Sequence, residues 1–370
     1  MKKIFFRTFV CLSIVWSLTS IAFAGSGQGH EYGLVKHELQ VYFDRLAEEN
    51  AFSGSVLIAK QGKVLLKEGY GKADYEKNKR NNPSTIFSIA SLGKAFTSMS
   101  IMILEERGLL SVNDTIADHI PEFPHGDLIT IHQLLSHSSG LYLMVDNPLM
   151  IENSANYHTP EQVLEYFMYE PLRFEPGTQW EYCNSGFVTL GVIIERASGM
   201  NYRDFIKTNI FEPLGMIHTG YDPDDVEFLN KRATGYDDIL SDPPVESFHI
   251  HPTVIFSAGA HYSTVKDMYK WDQALYTEQL VSAETLERIF TPNLGGYGYG
   301  WYSDNLEIDG EVHKHIWHWG DYPGFHSFFS RLVDDNVTII ILSNTSGATH
   351  TPDDLGLIAK QAAAIIFENE

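Results

Sequence analysis

Ser88-Ile89-Ala90-Ser91-Leu92-Gly93-Lys94-Ala95-Phe96 places a hydroxyl and an amine three residues apart, where a strand-like run gives way to an apolar helical pattern. On a helix, positions i and i+3 share a face, so the Ser91 oxygen and the Lys94 nitrogen meet across one turn. A serine hydroxyl becomes a nucleophile when a base takes its proton, and a partly desolvated lysine can lose its own proton and serve as that base. Ser-x-x-Lys is a loose pattern, and a second copy stands at Ser263 and Lys266. There, Ser263 reads as the cap of a helix continuing through Asp267, Met268 and Trp271. The pattern alone does not rank the two copies.

Outward from this stretch, elements follow by period and punctuation. Leu34, Val35, Leu39, Phe43 and Leu46 recur at helical spacing, and Ser55–Ala59 with Val64–Lys67 reads as a hairpin turning at Gly62. The helix that carries Ser91 and Lys94 runs to a glycine stop at Gly108. From about Ser111 the texture becomes helices separated by proline and glycine: a capping box at Thr130, a start at Thr159-Pro160, apolar runs from Phe187 to Ala197 and from Asn201 to Ile210, and a helix over Val265 to Leu275. Beyond Gly295 strands return at Tyr297–Tyr302, His313–Trp319, Phe325–Val333 and Val337–Leu342, followed by a helix over Asp354–Phe367. Strands at both ends and helices between imply an α/β (α+β) fold, a mostly antiparallel sheet built from both chain ends with a helical insertion. The expected division is 25–110 with 285–370 as the sheet domain and 111–284 as the helical one, their junction holding the active site.

The 370 residues are 44% hydrophobic, enough for a large core, and the formal charge is −22. Lys2, Lys3 and Arg7 precede an apolar run from Phe9 to Leu18 and then Ala22-Phe23-Ala24, the order of a secretory signal peptide over 1–24. The run is short of the roughly 20 residues that span a bilayer. Cleavage after Ala24 takes three basic residues with it and leaves the mature chain at −25. Such a field disfavours nucleic acid and anionic membrane surfaces as partners. Cys11 leaves with the signal, Cys183 stays alone, and no internal disulfide is expected of the exported, periplasmic or secreted chain.

A serine–lysine site also needs a proton relay to the leaving atom, donors for an oxyanion and a wall for the substrate. Tyr182-Cys183-Asn184 offers a phenol, which with an unperturbed pKa near 10 needs Lys94 close by to act as a base. Alternatively, Tyr182 and Asn184 shape the turn after Pro176-Gly177-Thr178, with Asn184 capping the next helix. In His318-Trp319-Gly320, strand alternation puts His318 and Gly320 on one face, the histidine toward a ligand and the glycine admitting a substrate backbone; a structural histidine is the alternative. His313 and His315 share a face that His318 does not, and no His-Glu-x-x-His occurs, so neither metal nor other cofactor is expected. Gly-x-Ser-x-Gly and P-loop patterns are missing as well.

Ser91-x-x-Lys94, Tyr182-x-Asn184 and His318-x-Gly320, in that order, resemble the serine β-lactamase and penicillin-binding-protein superfamily, specifically its class C-like branch. Ile129 to Leu141, Phe174-Glu175-Pro176-Gly177 and Glu212-Pro213-Leu214-Gly215-Met216 extend the likeness over the mature chain. The resemblance implies Ser91 as acyl-enzyme nucleophile, Lys94 lowering its proton affinity, Tyr182 as general base and leaving-group acid, and Asn184 holding the substrate amide. It also implies an oxyanion hole from the Ser91 and Asp321 backbone N–H groups, a wall at His318, and a structural region for Ser263 and Lys266. Class C β-lactamases carry Lys-Thr-Gly where this chain has His318-Trp319-Gly320. A histidine of unperturbed pKa near 6.5 loses its charge at neutral pH unless an acid retains it, so weak β-lactam hydrolysis is expected. A carboxypeptidase, aminopeptidase or esterase acting on small peptide, amide or ester substrates is the favoured function. The alternatives are a class C-like β-lactamase, a silent binding protein for peptidoglycan fragments or a partner, and a metallohydrolase.

Overall fold

The computed structural model describes residues 32–221, 230–346 and 352–369. The expected signal peptide and its cleavage site lie outside them, as does 222–229 of the loop Tyr221–Pro252.

Six strands form one antiparallel sheet. Gly54–Lys60 (β1) and Lys63–Tyr70 (β2) come from the N-terminal part; Tyr302–Ile308 (β3), Glu311–Tyr322 (β4), Phe325–Leu332 (β5) and Val337–Ser343 (β6) come from the C-terminal part. Their order is β3-β4-β5-β6-β1-β2, so the chain ends meet where β1 pairs with β6, Leu57 opposite Ile340 and Ile58 opposite Ile339. The hairpin between β1 and β2 turns on Gln61 and Gly62, with φ of +49° and +75°. Two successive left-handed residues give the twist that antiparallel strands need at a tight hairpin, and the glycine supplies one of them freely.

β1 and β6 are buried along their whole length, as continuous apolar runs covered on both faces should be. Val56, Ile58, Ile339 and Ile341 point to one face, covered by α1 (32–48) and the terminal helix Pro352–Glu368 through Leu39, Phe43, Leu355 and Ile366. Leu57, Ala59, Ile340 and Leu342 point the other way and join the core of the helical body. Each fully buried aliphatic side chain contributes about 1.5–3 kcal/mol, so these two cores are the main source of the fold's stability. Cys183 is a free, buried thiol.

Two expected elements differ. Tyr297–Tyr302 is not a strand: the edge strand starts at Tyr302, and the preceding residues form a loop in which Gly300 has φ +79° and packs against the Lys94 carbonyl. A Cβ at Gly300 would stand 2.9 Å from that oxygen, so the aromatic alternation of this stretch reflects close packing on a helix. Nor does Ser263 cap the helix Val265–Ala274; Thr264 does, its side chain accepting from the Asp267 N–H, while Ser263 ends the short strand His261–Ser263.

Candidate active site

The turn that carries Ser91 is built by a short strand pairing and a glycine. Phe87 and Ser88 pair with Ser263 and Tyr262, and the Ile89 N–H reaches the His261 carbonyl at 3.0 Å. Ala90 then turns left-handed at φ +48°, which costs an L-residue about 1–2 kcal/mol and is held in place by its surroundings. The Ile89 carbonyl accepts from the Ser327 hydroxyl at 2.9 Å. A Cβ on Gly320 would lie 2.4 Å from that carbonyl and 2.3 Å from the Ser327 oxygen. What approaches Gly320 so closely is therefore the turn that carries Ser91. Ser91 sits in the 3-10 turn Ala90–Gly93, and Lys94 is the first residue of the helix Lys94–Glu106 (α2).

Lys94 is fully buried, and burial holds its amine well below the ordinary value of 10.5. Its nitrogen stands 3.0 Å from the Ser91 oxygen, 2.8 Å from Asn184 Oδ1 and 2.7 Å from the Ala258 carbonyl. The last two only accept. They take both hydrogens of a neutral amine, whose lone pair is then left for the Ser91 hydroxyl proton. Asn184 opens the helix Asn184–Ser198 (α3), but its side chain does not cap it.

Tyr182 lies beside this pair. Burial pushes its phenol well above 10, against the pull of the Ser91 hydroxyl, and its oxygen closes no hydrogen bond of standard geometry among the described residues. Lys94 Nζ stands over the ring face, 4.9 Å from the centroid. Burial favours the protonated phenol, and the Lys94 amine meets the ring face without closing a standard hydrogen bond to its oxygen.

On the opposite side His318 is 1% exposed. Its Nδ1 lies 2.5 Å from the Trp319 carbonyl, so it donates there, and Nε2 accepts from the Tyr297 hydroxyl at 2.9 Å. Both nitrogens are used within the protein. Burial presses its pKa down to about 3, which leaves a neutral ring at physiological pH. Trp319 stacks on Tyr182, centroids 5.8 Å apart at 20°. Asp321 follows Gly320 at the end of β4, its half-exposed carboxylate 3.2 Å from His326 Nδ1. A cavity of about 190 Å³ opens beside the turn, lined by Ser88, Gly259, His249, Tyr322 and Phe325.

A serine in a strained turn, a buried amine of depressed pKa against it and a phenol beside both are the residue types that a serine nucleophile with a proton acceptor and donor requires. The family model described as Beta-lactamase matches residues 40–363. The chain belongs to the beta-lactamase family. Among curated relatives, penicillin-binding protein 4* of Bacillus subtilis (strain 168) is 34% identical over 353 residues, covering 90% of this chain and 76% of that one. A putative penicillin-binding protein, PbpX, of the same strain is 32% identical over 301 residues, covering 80% and 72%. Among solved structures, the octameric penicillin-binding protein homologue of Pyrococcus abyssi is 28% identical with a TM-score of 0.77, covering 90% of this chain and 77% of that one. D-amino acid amidase of Ochrobactrum anthropi SV3 shares the fold at 22% identity, with a TM-score of 0.78 over 90% of this chain and 98% of that one. The resemblance read from the ordered motifs, the mostly antiparallel α+β architecture and the serine hydrolase class are all borne out.

In this beta-lactamase family member, two buried imidazoles that the motifs did not single out flank the lysine. His261 Nε2 meets the Tyr202 hydroxyl at 2.9 Å, and that hydroxyl meets Thr97 on α2 at 2.6 Å. His137 packs on Tyr182 with ring centroids 4.4 Å apart. Burial holds both rings below the ordinary histidine value, His261 at about 3. The stretch Leu135 to Gly140 contained His137, but nothing local marks its neighbours, which lie more than 40 residues along the chain.

No group of three or more His, Cys, Asp or Glu among the described residues could hold a metal ion. His313 instead meets Asp335 at 2.7 Å, and His315 meets Asp304 at 3.1 Å and Ser330 at 2.9 Å. No helix among the described residues is long and apolar enough to cross a membrane.

Proposed function

We propose that this chain is an exported hydrolase of small peptide, amide or ester substrates working through a Ser91 acyl-enzyme. The observation that carries the reading is the Lys94 amine, buried and held between Asn184 Oδ1 at 2.8 Å and the Ala258 carbonyl at 2.7 Å with Ser91 at 3.0 Å. As the Ser91 oxygen bonds to the substrate carbonyl carbon, its proton passes to Lys94. The oxyanion is held by the backbone N–H groups of Ser91 and Asp321. Collapse breaks the bond to the leaving nitrogen or oxygen, which takes the Tyr182 proton, and the Lys94 ammonium restores the phenol. Water then attacks the acyl ester, gives its proton to the same pair and returns Ser91 to its hydroxyl form. Asn184 holds the substrate amide, while Trp319, stacked on Tyr182, forms the far wall with the buried His318 behind it and Gly320 backing the Ser91 turn. Lys94 thereby takes the base role that the family likeness gives to Tyr182, while Tyr182 keeps the role of leaving-group acid.

The neutral, internally bonded His318 offers no charge to a β-lactam carboxylate, which favours slow or no turnover of such drugs. The relatives' names, penicillin-binding proteins, fit acylation without rapid release. The D-amino acid amidase shares the fold, and its name points to D-amino-acid amides as one substrate class to try. The signal-peptide pattern over 1–24 is the basis for export. A panel of p-nitrophenyl esters, D-amino-acid amides, acyl-D-Ala-D-Ala peptides and a cephalosporin, run on wild type and Ser91→Ala, tests the reading. Turnover of esters or amides that vanishes in Ser91→Ala is expected; equal activity in both proteins refutes it, and efficient cephalosporin turnover refutes the substrate preference.

A further inference from the structure

We infer that His137 is the positioning residue of Tyr182, holding the phenol where the leaving group needs it. Its main chain and side chain grip the two amides that flank Tyr182. The His137 carbonyl accepts from the Glu181 N–H at 3.0 Å, and its Nδ1 accepts from the Cys183 N–H at 3.1 Å. Its ring packs against Tyr182 itself at 4.4 Å and against Phe187 and Tyr297 at 5.0 and 4.5 Å. Tyr182 has no hydrogen bond of standard geometry of its own among the described residues, so its position is set by these contacts and by the Trp319 stack.

The chemistry of the ring points the same way. His137 is 1% exposed and has φ +57°, a left-handed conformation that directs carbonyl and imidazole toward one neighbouring strand of chain. Nδ1 accepts, so a neutral ring carries its proton on Nε2, and that nitrogen is buried with no partner among the described residues. A phenylalanine would fill the same space without stranding a buried donor. The imidazole brings one thing a hydrocarbon ring lacks, the Nδ1 acceptor for Cys183. Burial, with Lys94 and His318 close by, keeps the ring neutral and that acceptor available.

The inference rests on the proposed role of Tyr182 as proton donor to the leaving group, and its test separates the two. The ethyl and p-nitrophenyl esters of one acyl group are compared by kcat/KM, which reports acylation. Ethoxide must be protonated as it leaves and nitrophenolate need not be, so a displaced phenol penalises the ethyl ester alone. His137→Asn keeps an acceptor at the Nδ1 position; His137→Gln moves the amide out to Nε2, and His137→Phe removes it. Gln and Phe are expected to lower ethyl-ester kcat/KM about 100-fold, the scale of an ångström-sized misplacement, with a much smaller loss on the nitrophenyl ester. Asn is expected to lose less than Gln. Combining His137→Phe with Tyr182→Phe should cost no more than Tyr182→Phe alone. Equal losses on both esters, Asn no better than Gln, or additive losses in the double variant would overturn the assignment. Should His137→Phe fail to fold, the Asn and Gln pair decides. If Tyr182→Phe itself lowers both esters equally, the proton-donor reading falls, and the Asn–Gln order with the double variant still judges His137.

Discussion

Ser91 with Lys94 and Ser263 with Lys266 have the same spacing and opposite fates. Lys94 is fully buried and meets its serine at 3.0 Å. Lys266 is exposed and reaches the hydroxyl of Ser84 at 2.7 Å, while Ser263 turns inward to Thr219 Oγ1 at 2.7 Å. The difference lies in the backbone before each lysine. Ala90 at φ +48° opens a 3-10 turn that carries Ser91 onto the axis of α2, one turn from Lys94. Ser263 is still extended, paired with Phe87, and the helix after it starts only at Val265. An i, i+3 pair meets only where both residues already wind as a helix. The meeting of Ser91 with Lys94 thus depends on a strained turn, and the Gly320 strand packs behind that turn.

The largest effect expected from this contrast is on activity. On the proposed mechanism Lys94→Ala removes the base and should lower kcat/KM at least about 1,000-fold, as Ser91→Ala should, because the parts of such a site fail together. Lys266→Ala should change it no more than about twofold, the range of ordinary surface substitutions. Ester hydrolysis by the two lysine variants in parallel is sufficient. Comparable losses in both would mean that burial does not distinguish the copies.

Where the contrast could be foreseen, the signals were local. The buried runs of β1 and β6, the Gln61-Gly62 hairpin, the capping box at Thr130 and the helix start at Thr159-Pro160 depend on residues within a few positions of each other. Ser263 misled because a hydroxyl one residue before the true cap, Thr264, looks equally suitable. The Tyr297–Tyr302 alternation misled because it arises from Gly300 packing on a carbonyl of α2. The Ala258 carbonyl that completes the Lys94 cage has no signature, since every residue has a carbonyl. His137 was visible as a letter, yet its use depends on Cys183, which is distant in sequence.

A finer break of the comparison is the pH profile. Lys94 must be neutral to accept the Ser91 proton, so kcat/KM rises with pH through the Lys94 pKa, which burial places well below 10.5. The depressed value also has a stability sign: between it and 10.5 the unfolded chain binds the extra proton, so stability at this group grows as pH rises across that window. His318, at about 3, is neutral throughout the working range. His318→Gln should therefore leave the acid limb of kcat/KM in place even where it lowers the plateau. A limb that disappears in His318→Gln would reassign the titration to the histidine.

The smallest effect sharpens the other copy. Thr264 caps its helix through the Asp267 N–H, and Thr264→Ala should cost about 1 kcal/mol of folding stability, the usual value of a lost cap. Ser263→Ala removes a hydroxyl from Thr219 Oγ1, which still reaches Asp267 Oδ2 at 3.3 Å and so keeps an acceptor for its proton. A donor that retains a partner avoids the penalty of an orphaned buried group, and the loss should stay near 0.5 kcal/mol, the low end for a single hydrogen bond. Urea midpoints rank the pair, and neither variant should move kcat/KM. The reverse ranking would make Ser263 the residue that ties the strand His261–Ser263 to Thr219, and a fall in kcat/KM would mean that the pairing of Phe87 with Ser263 transmits strain to the turn at Ala90.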